Sequence, residues 1–164
     1  MASIHFVLFL AASSLYSAFA DGTCPDGFLA HQDSCYKEFG IKATWAKASI
    51  ICKAYGGYLA SIDSEDEQLY VASYLTRLGK DAFTPGLFWI GGTDIRTEGI
   101  WAWSRTNDPI TYKNWQMGQP DNYQGKENCM DFEFDTNFKW NDRDCTQRQN
   151  FFCEIPAVQT QVIG

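Results

Sequence analysis

The chain has 164 residues, 45% of them apolar and with 6 Trp, 8 Tyr and 12 Phe among them, enough to build a real core in one domain. Its formal net charge of -7 lies wholly beyond residue 20, because the first twenty residues hold no Asp, Glu, Lys or Arg. So acidic a domain makes a poor nucleic-acid binder, since phosphate contacts need clustered cations, and the charge leaves open cation binding or plain solubility.

Residues 1–20, MASIHFVLFLAASSLYSAFA, hold an apolar run followed by small residues and end at Ala18-Phe19-Ala20. That pattern predicts a secretory signal cleaved after Ala20, a mature domain over 21–156 and a short tail over 157–164. The segment departs from the usual leader in having no Lys or Arg, His5 being its one basic side chain. The apolar stretch is too short to cross a bilayer and no later segment reaches that length, so no membrane span is expected and the domain is placed outside the cell.

All six cysteines, Cys24, Cys35, Cys52, Cys129, Cys145 and Cys153, lie beyond the expected cleavage point. An even number in a secreted domain reads as a disulfide set, with about 15 pairings open on spacing alone. Zinc is the competing use, but no C-x-x-C or H-x-x-x-H spacing occurs, and His31 is the one histidine of the mature chain.

Two helices come first. From Thr44 the apolar positions Trp45, Ala48, Cys52 and Tyr55 recur at helical spacing, and Gly56-Gly57 supply a stop. Ser64-Glu65-Asp66-Glu67 is a capping box with acidic residues at the positive end of the helix dipole. The stripe Val71, Tyr74, Leu75 and Leu78 follows it, and Gly79 ends it; the aromatic in that stripe is read as core. Short aromatic segments come next, at Leu87–Ile90, Ile100–Trp103, Met130–Phe134 and Phe151–Ile155, bounded by Gly, Pro, Asn and Asp. They read as strands. Helices first and strands afterwards predict an α+β domain rather than a βαβ repeat. The polar, Gly/Pro-punctuated region from Asp94 to Trp140 is expected to be largely irregular loop, and loops of that size in a compact domain are usually functional.

Two stretches carry the chemistry: GQPDNYQGKENC over 118–129 and KWNDRDC over 139–145. Gln119, Asp121, Glu127, Asn141 and Asp142 offer three carboxylates and two carboxamides, the oxygen donors that calcium takes in sets of about six to eight. Without a cation the carboxylates would repel one another, so metal is expected to order the loop. Each residue taken singly also fits a hydrated turn. A cis bond before Pro120 would turn the two flanking side chains toward one centre, although cis is a minority state, about 5% of X-Pro bonds.

The order of the six cysteines, the Trp89-Ile90-Gly91 segment, the QPD tripeptide at 119–121 and the WND tripeptide at 140–142 before Cys145 together resemble a C-type lectin domain over nearly the whole mature chain. That resemblance implies the pairings Cys24 with Cys35, Cys52 with Cys153 and Cys129 with Cys145, and a cis bond before Pro120. It implies a fold of two helices, antiparallel sheets and a long calcium-binding loop. It also implies one calcium ion on Gln119, Asp121, Glu127, Asn141 and Asp142, which in turn binds a sugar. In such domains Glu-Pro-Asn accompanies mannose-type ligands and Gln-Pro-Asp, as here, galactose or N-acetylgalactosamine. Tyr123 stands where galactose binders often place a Trp against the sugar face, though the Gly-rich insertion that positions that ring is absent between Tyr123 and Glu127. Asp94, Glu98, Asn122, Glu127 and Asn128 match an accessory calcium site, with two Asn where carboxylates are frequent. Gly92 departs from the Leu often found after Trp-Ile-Gly.

The expected function is therefore a secreted, calcium-dependent lectin for galactose-type glycans, of a kind used in innate immune recognition. The alternative is an extracellular or shell-type matrix protein whose carboxylates meet mineral or protein partners. Glu127 and Asp142 could also be read as a glycosidase pair, but the calcium reading uses both, and no second pair stands out. No enzyme is expected. The residues fix no oligomeric state.

Overall fold

The computed structural model describes residues 24–79, 82–83 and 86–158. The leader expected over 1–20, and all of the tail after Val158, lie outside them.

Helix α1 runs Trp45–Ala54 and helix α2 runs Glu65–Leu78. The Thr44 hydroxyl accepts from the Lys47 N–H at 3.4 Å, and the Ser64 hydroxyl accepts from the Glu67 N–H at 3.2 Å. Glu67 answers by accepting the Asp63 N–H at 2.7 Å, so α2 begins in a reciprocal cap with three acidic residues in its first turn. Gly79, at φ 84°, ends α2 in a conformation that a side chain would strain. Val71, Tyr74 and Leu75 bury their side chains as the stripe predicts, together with Gln68. Leu78 and Tyr55 do not: they stand at helix ends and are 40% and 52% exposed, Tyr55 with its ring against Phe28 and Phe39.

Among the described residues, eight strands form one sheet: β1 Leu29–His31, β2 Ser34–Ala43, β3 Tyr58–Leu59, β4 Leu87–Thr93, β5 Ala102–Trp103, β6 Cys129–Glu133, β7 Lys139–Arg143 and β8 Gln149–Pro156. The order is β1-β2-β8-β4-β6-β7, with β3 also on β8 and β5 also on β4. One pairing departs from the antiparallel expectation: β4 and β8 run parallel, with Trp89 opposite Phe151. Strand β8 is buried from Gln149 to Ile155, its polar Gln149, Asn150 and Glu154 included.

Two clusters make the core. One gathers Phe88, Phe132, Phe138, Trp140 and Phe152 under α2; the other gathers Leu59, Trp89, Phe151 and the Cys52–Cys153 disulfide against α1. The pairings are Cys24–Cys35, Cys52–Cys153 and Cys129–Cys145, as the resemblance implies. Gly92 has a packing reason. A Cβ there would lie 2.6 Å from Met130 Cε and 2.7 Å from its Sδ, so Met130 fills the space a leucine at 92 would take.

Candidate functional site

Strand β7 carries half of the site and the loop between β5 and β6 carries the other half. Trp140 is fully buried, with its indole N–H donating to Gln68 Oε1 at 2.9 Å, which anchors β7 to α2. The loop is pinned at the same residue: Gln116 N–H donates to the Trp140 carbonyl at 2.8 Å, and Trp140 N–H donates to the Asn114 carbonyl at 2.9 Å. Two residues past Trp140, fully buried Asp142 receives the loop. Its Oδ1 accepts from the Asp121 N–H at 3.1 Å and its Oδ2 from the Asn122 N–H at 2.7 Å. The Cys129–Cys145 disulfide closes the Asp142 end of the β6–β7 pair, in which Met130 faces Asp142 and Asp131 faces Asn141.

Beyond Asp142 the chain folds back on itself. Asn122, at φ 44° and ψ 53°, is left-handed, and its side-chain oxygen accepts the Glu127 N–H at 3.0 Å. The Glu127 carboxylate in turn accepts the Tyr123 N–H at 3.1 Å. These bonds bring one carboxylate oxygen from each of Asp121, Glu127 and Asp142 within 4.8 Å of one another. The Gln119–Pro120 bond is cis. The Gln119 carboxamide oxygen is buried without a partner among the described residues. The Asn141 carboxamide donates to the Asp142 backbone carbonyl and so lies beside the same residue.

Electrostatics at this cluster favours a cation. Burial pushes the Glu127 carboxyl above the usual range, and Asp142 and Asp121 add to the shift, while the Tyr123 N–H opposes it. Three converging carboxylates and an unpartnered buried amide oxygen are the hard donor set that suits Ca2+, so the residues fit the ion.

The residues matched to an accessory site are placed less compactly. Asp94 is buried; its Oδ2 accepts the Gly99 N–H at 2.8 Å, while its Oδ1 has no partner among the described residues. Burial raises the Asp94 carboxyl, with Glu98 and Asp142 adding to it. Glu98 is exposed, and the Asn128 carbonyl accepts from the Thr93 hydroxyl at 2.7 Å. Tyr123 is 64% exposed beside Glu127.

Behind β7 lies a network that motif reading passes over. Arg143 Nε meets Asp131 Oδ2 at 2.5 Å, and the same guanidinium pairs with Glu133. Burial pushes the Asp131 carboxyl up to about 7 even though Arg143 pulls it down. The alternation of charged residues, Asp131 and Glu133 on β6 against Arg143 on β7, was the signal available in the sequence.

The fold and this site place the molecule in a known class. The model for the Lectin C-type domain matches residues 41–155, and the chain belongs to that family. Among curated relatives, Perlucin of Haliotis laevigata is 39% identical over 136 residues, covering 82% of this chain and 84% of that one. The galactose-specific lectin nattectin of Thalassophryne nattereri is 35% identical over 164 residues, covering 93% and 98%. Among solved structures, the mouse scavenger receptor C-type lectin carbohydrate-recognition domain superposes with a TM-score of 0.73 at 31% identity, covering 82% of this chain and 99% of that one. Among the described residues no helix is long and apolar enough to cross a membrane.

Proposed function

We propose that this chain is a secreted lectin that binds galactose-type sugars through one calcium ion held by Gln119, Asp121, Glu127, Asn141 and Asp142. The observation that carries the reading is the convergence of the Asp121, Glu127 and Asp142 carboxylates within 4.8 Å. Calcium there would supply a Lewis-acid partner for the lone pairs of two adjacent sugar hydroxyls. The chain's own groups do the rest: carboxylates accept from those hydroxyls, carboxamides donate to them, and every polar group of the diol finds a partner. Gln119 and Asp121 set the order of donor and acceptor, and Tyr123 offers an exposed ring to the apolar face of the sugar. The resemblance to a protein named as a galactose-specific lectin supports that preference.

The domain of this reading is 21–156, released from the leader 1–20. Asp94, with its unpartnered oxygen, anchors a weaker accessory ion together with Glu98, Asn122, Glu127 and Asn128. The carboxylates serve binding rather than bond cleavage, in keeping with relatives named as lectins. The test is retention on galactose resin in calcium and elution by chelator. A second reading, binding to mineral in an extracellular matrix, is favoured by the net charge of -7. It wins if the protein passes through the sugar resin in calcium but adsorbs to calcium carbonate.

A further inference from the structure

A cleft of about 360 Å³ opens beside the calcium-type cluster, and Gln119 lines it. Its other walls include Trp101, Trp115, Pro120 and Lys113. The two indoles meet edge-on with ring centroids 4.9 Å apart, and the Trp101 N–H is buried with no partner among the described residues. The loop carrying Trp115 is fixed on β7 through the Asn114 and Gln116 backbone bonds to Trp140, so this wall is rigid. Among the described residues, Lys113 is the one charged residue on the walls. Unlike Lys139, which donates to Asn114 Oδ1, it is exposed and has neither ion pair nor hydrogen bond among the described residues.

We infer that this cleft is a second subsite, taking the next ring of a galactose-ended glycan when that ring carries an anionic group, either a sulfate ester or a carboxylate. The inference rests on the proposed sugar site, since Gln119 belongs to both. A glycan whose terminal ring sits on the carboxylate cluster reaches the cleft across Gln119 and Pro120. Apolar sugar faces suit indole walls, and the volume falls within the range of about 300–1,000 Å³ common to ligand sites. In a domain of net charge -7 an anion is repelled overall, so its capture needs a local cation free of competing carboxylates. Lys113 meets that need.

The test compares three disaccharides in saturating calcium: a neutral one ending in galactose, the same with a sulfate ester on its second ring, and one with a carboxylated second ring. The anionic forms bind about fivefold tighter than the neutral one at low salt, as suits an exposed ion pair. The advantage shrinks as ionic strength rises. Lys113→Ala binds all three alike. A gain for only one of the two anions upholds the subsite and identifies its ligand. Equal binding of all three by the wild type, or an advantage that survives in Lys113→Ala, overturns the subsite while leaving the primary site standing. Failure to hold even the neutral disaccharide overturns both.

Discussion

Asp142 is where the two halves of the site meet: its two oxygens hold the backbone N–H groups of Asp121 and Asn122 while it faces Glu127 across the carboxylate cluster. With the loop tied in this way, the side chains of Gln119 and Asp121 can differ without moving the backbone. Exchanging them as Gln119→Glu with Asp121→Asn keeps the carboxylate count and should keep calcium. It reverses the donor and acceptor order, and a mismatched hydroxyl left unpaired costs about 1–3 kcal/mol, roughly tenfold in relative affinity. Competitive elution from galactose and mannose resins should therefore shift toward mannose, with Tyr123 holding back part of the change. The same ranking in both proteins would remove the tripeptide as selector. A second prediction concerns Glu154, remote from the site. It is 4% exposed and accepts from the Ser61 N–H at 3.0 Å and the Ser34 hydroxyl at 2.7 Å; burial raises its carboxyl above the usual range. A raised folded-state pKa gives stability that is full below the unfolded value and is lost as pH rises through the folded one. The melting temperature of the wild type relative to Glu154→Gln should thus fall as pH rises from about 4, and a constant difference would contradict the assignment. Asp121 and Asp142 were legible because QPD and WND each gather oxygens within three positions, whereas Glu127 stands outside both tripeptides. Asp142's hold on the facing loop was not, since those bonds use backbone groups that any residues at 121 and 122 possess.

At the scale of elements, the helices were legible and the strands only partly. Caps and periodicity marked α1 and α2 to within a residue or two, and Leu78 and Tyr55 stay exposed because periodicity does not say where the core stops. Strands β4, β6 and β8 announce themselves with aromatic runs. Strand β2, SCYKEFGIKA, is half exposed and alternates poorly, and β7 reads as a loop because Asn141 and Asp142 are polar, yet both are buried in the sheet. The β4–β6 pair carries a further prediction. Because Met130 occupies the space beside Gly92, Gly92→Leu overpacks the pair and should cost about 1–3 kcal/mol. Met130→Ala alone leaves a cavity and costs about 2–5 kcal/mol. The double substitution should lose less than the sum of the two, as measured by urea unfolding, because the leucine at 92 fills the volume that the shortened residue 130 vacates. Full additivity would mean that the two positions do not share that volume.

The whole molecule is closed by Cys52–Cys153, which joins α1 to β8 across a sequence separation of 101. Removing it as Cys52→Ala with Cys153→Ala frees a long loop in the unfolded chain and should cost about 2–5 kcal/mol, read as a lower denaturant midpoint. An unchanged midpoint would place the closure in the core contacts alone. Spacing left about 15 pairings open; three-dimensional proximity, which spacing does not encode, selects one. The same holds for the site: the Asp121, Glu127 and Asp142 carboxylates converge only because β6, β7 and the pinned loop fold them together. That convergence is a claim about calcium, and a thermal melt with and without the ion tests it most directly. At about 100 times the dissociation constant, calcium should add about 2.7 kcal/mol to the stability of the wild type, seen as a raised melting temperature, and little to Glu127→Gln. A wild-type melting temperature that ignores calcium, with sugar retention undiminished in chelator, would contradict the account.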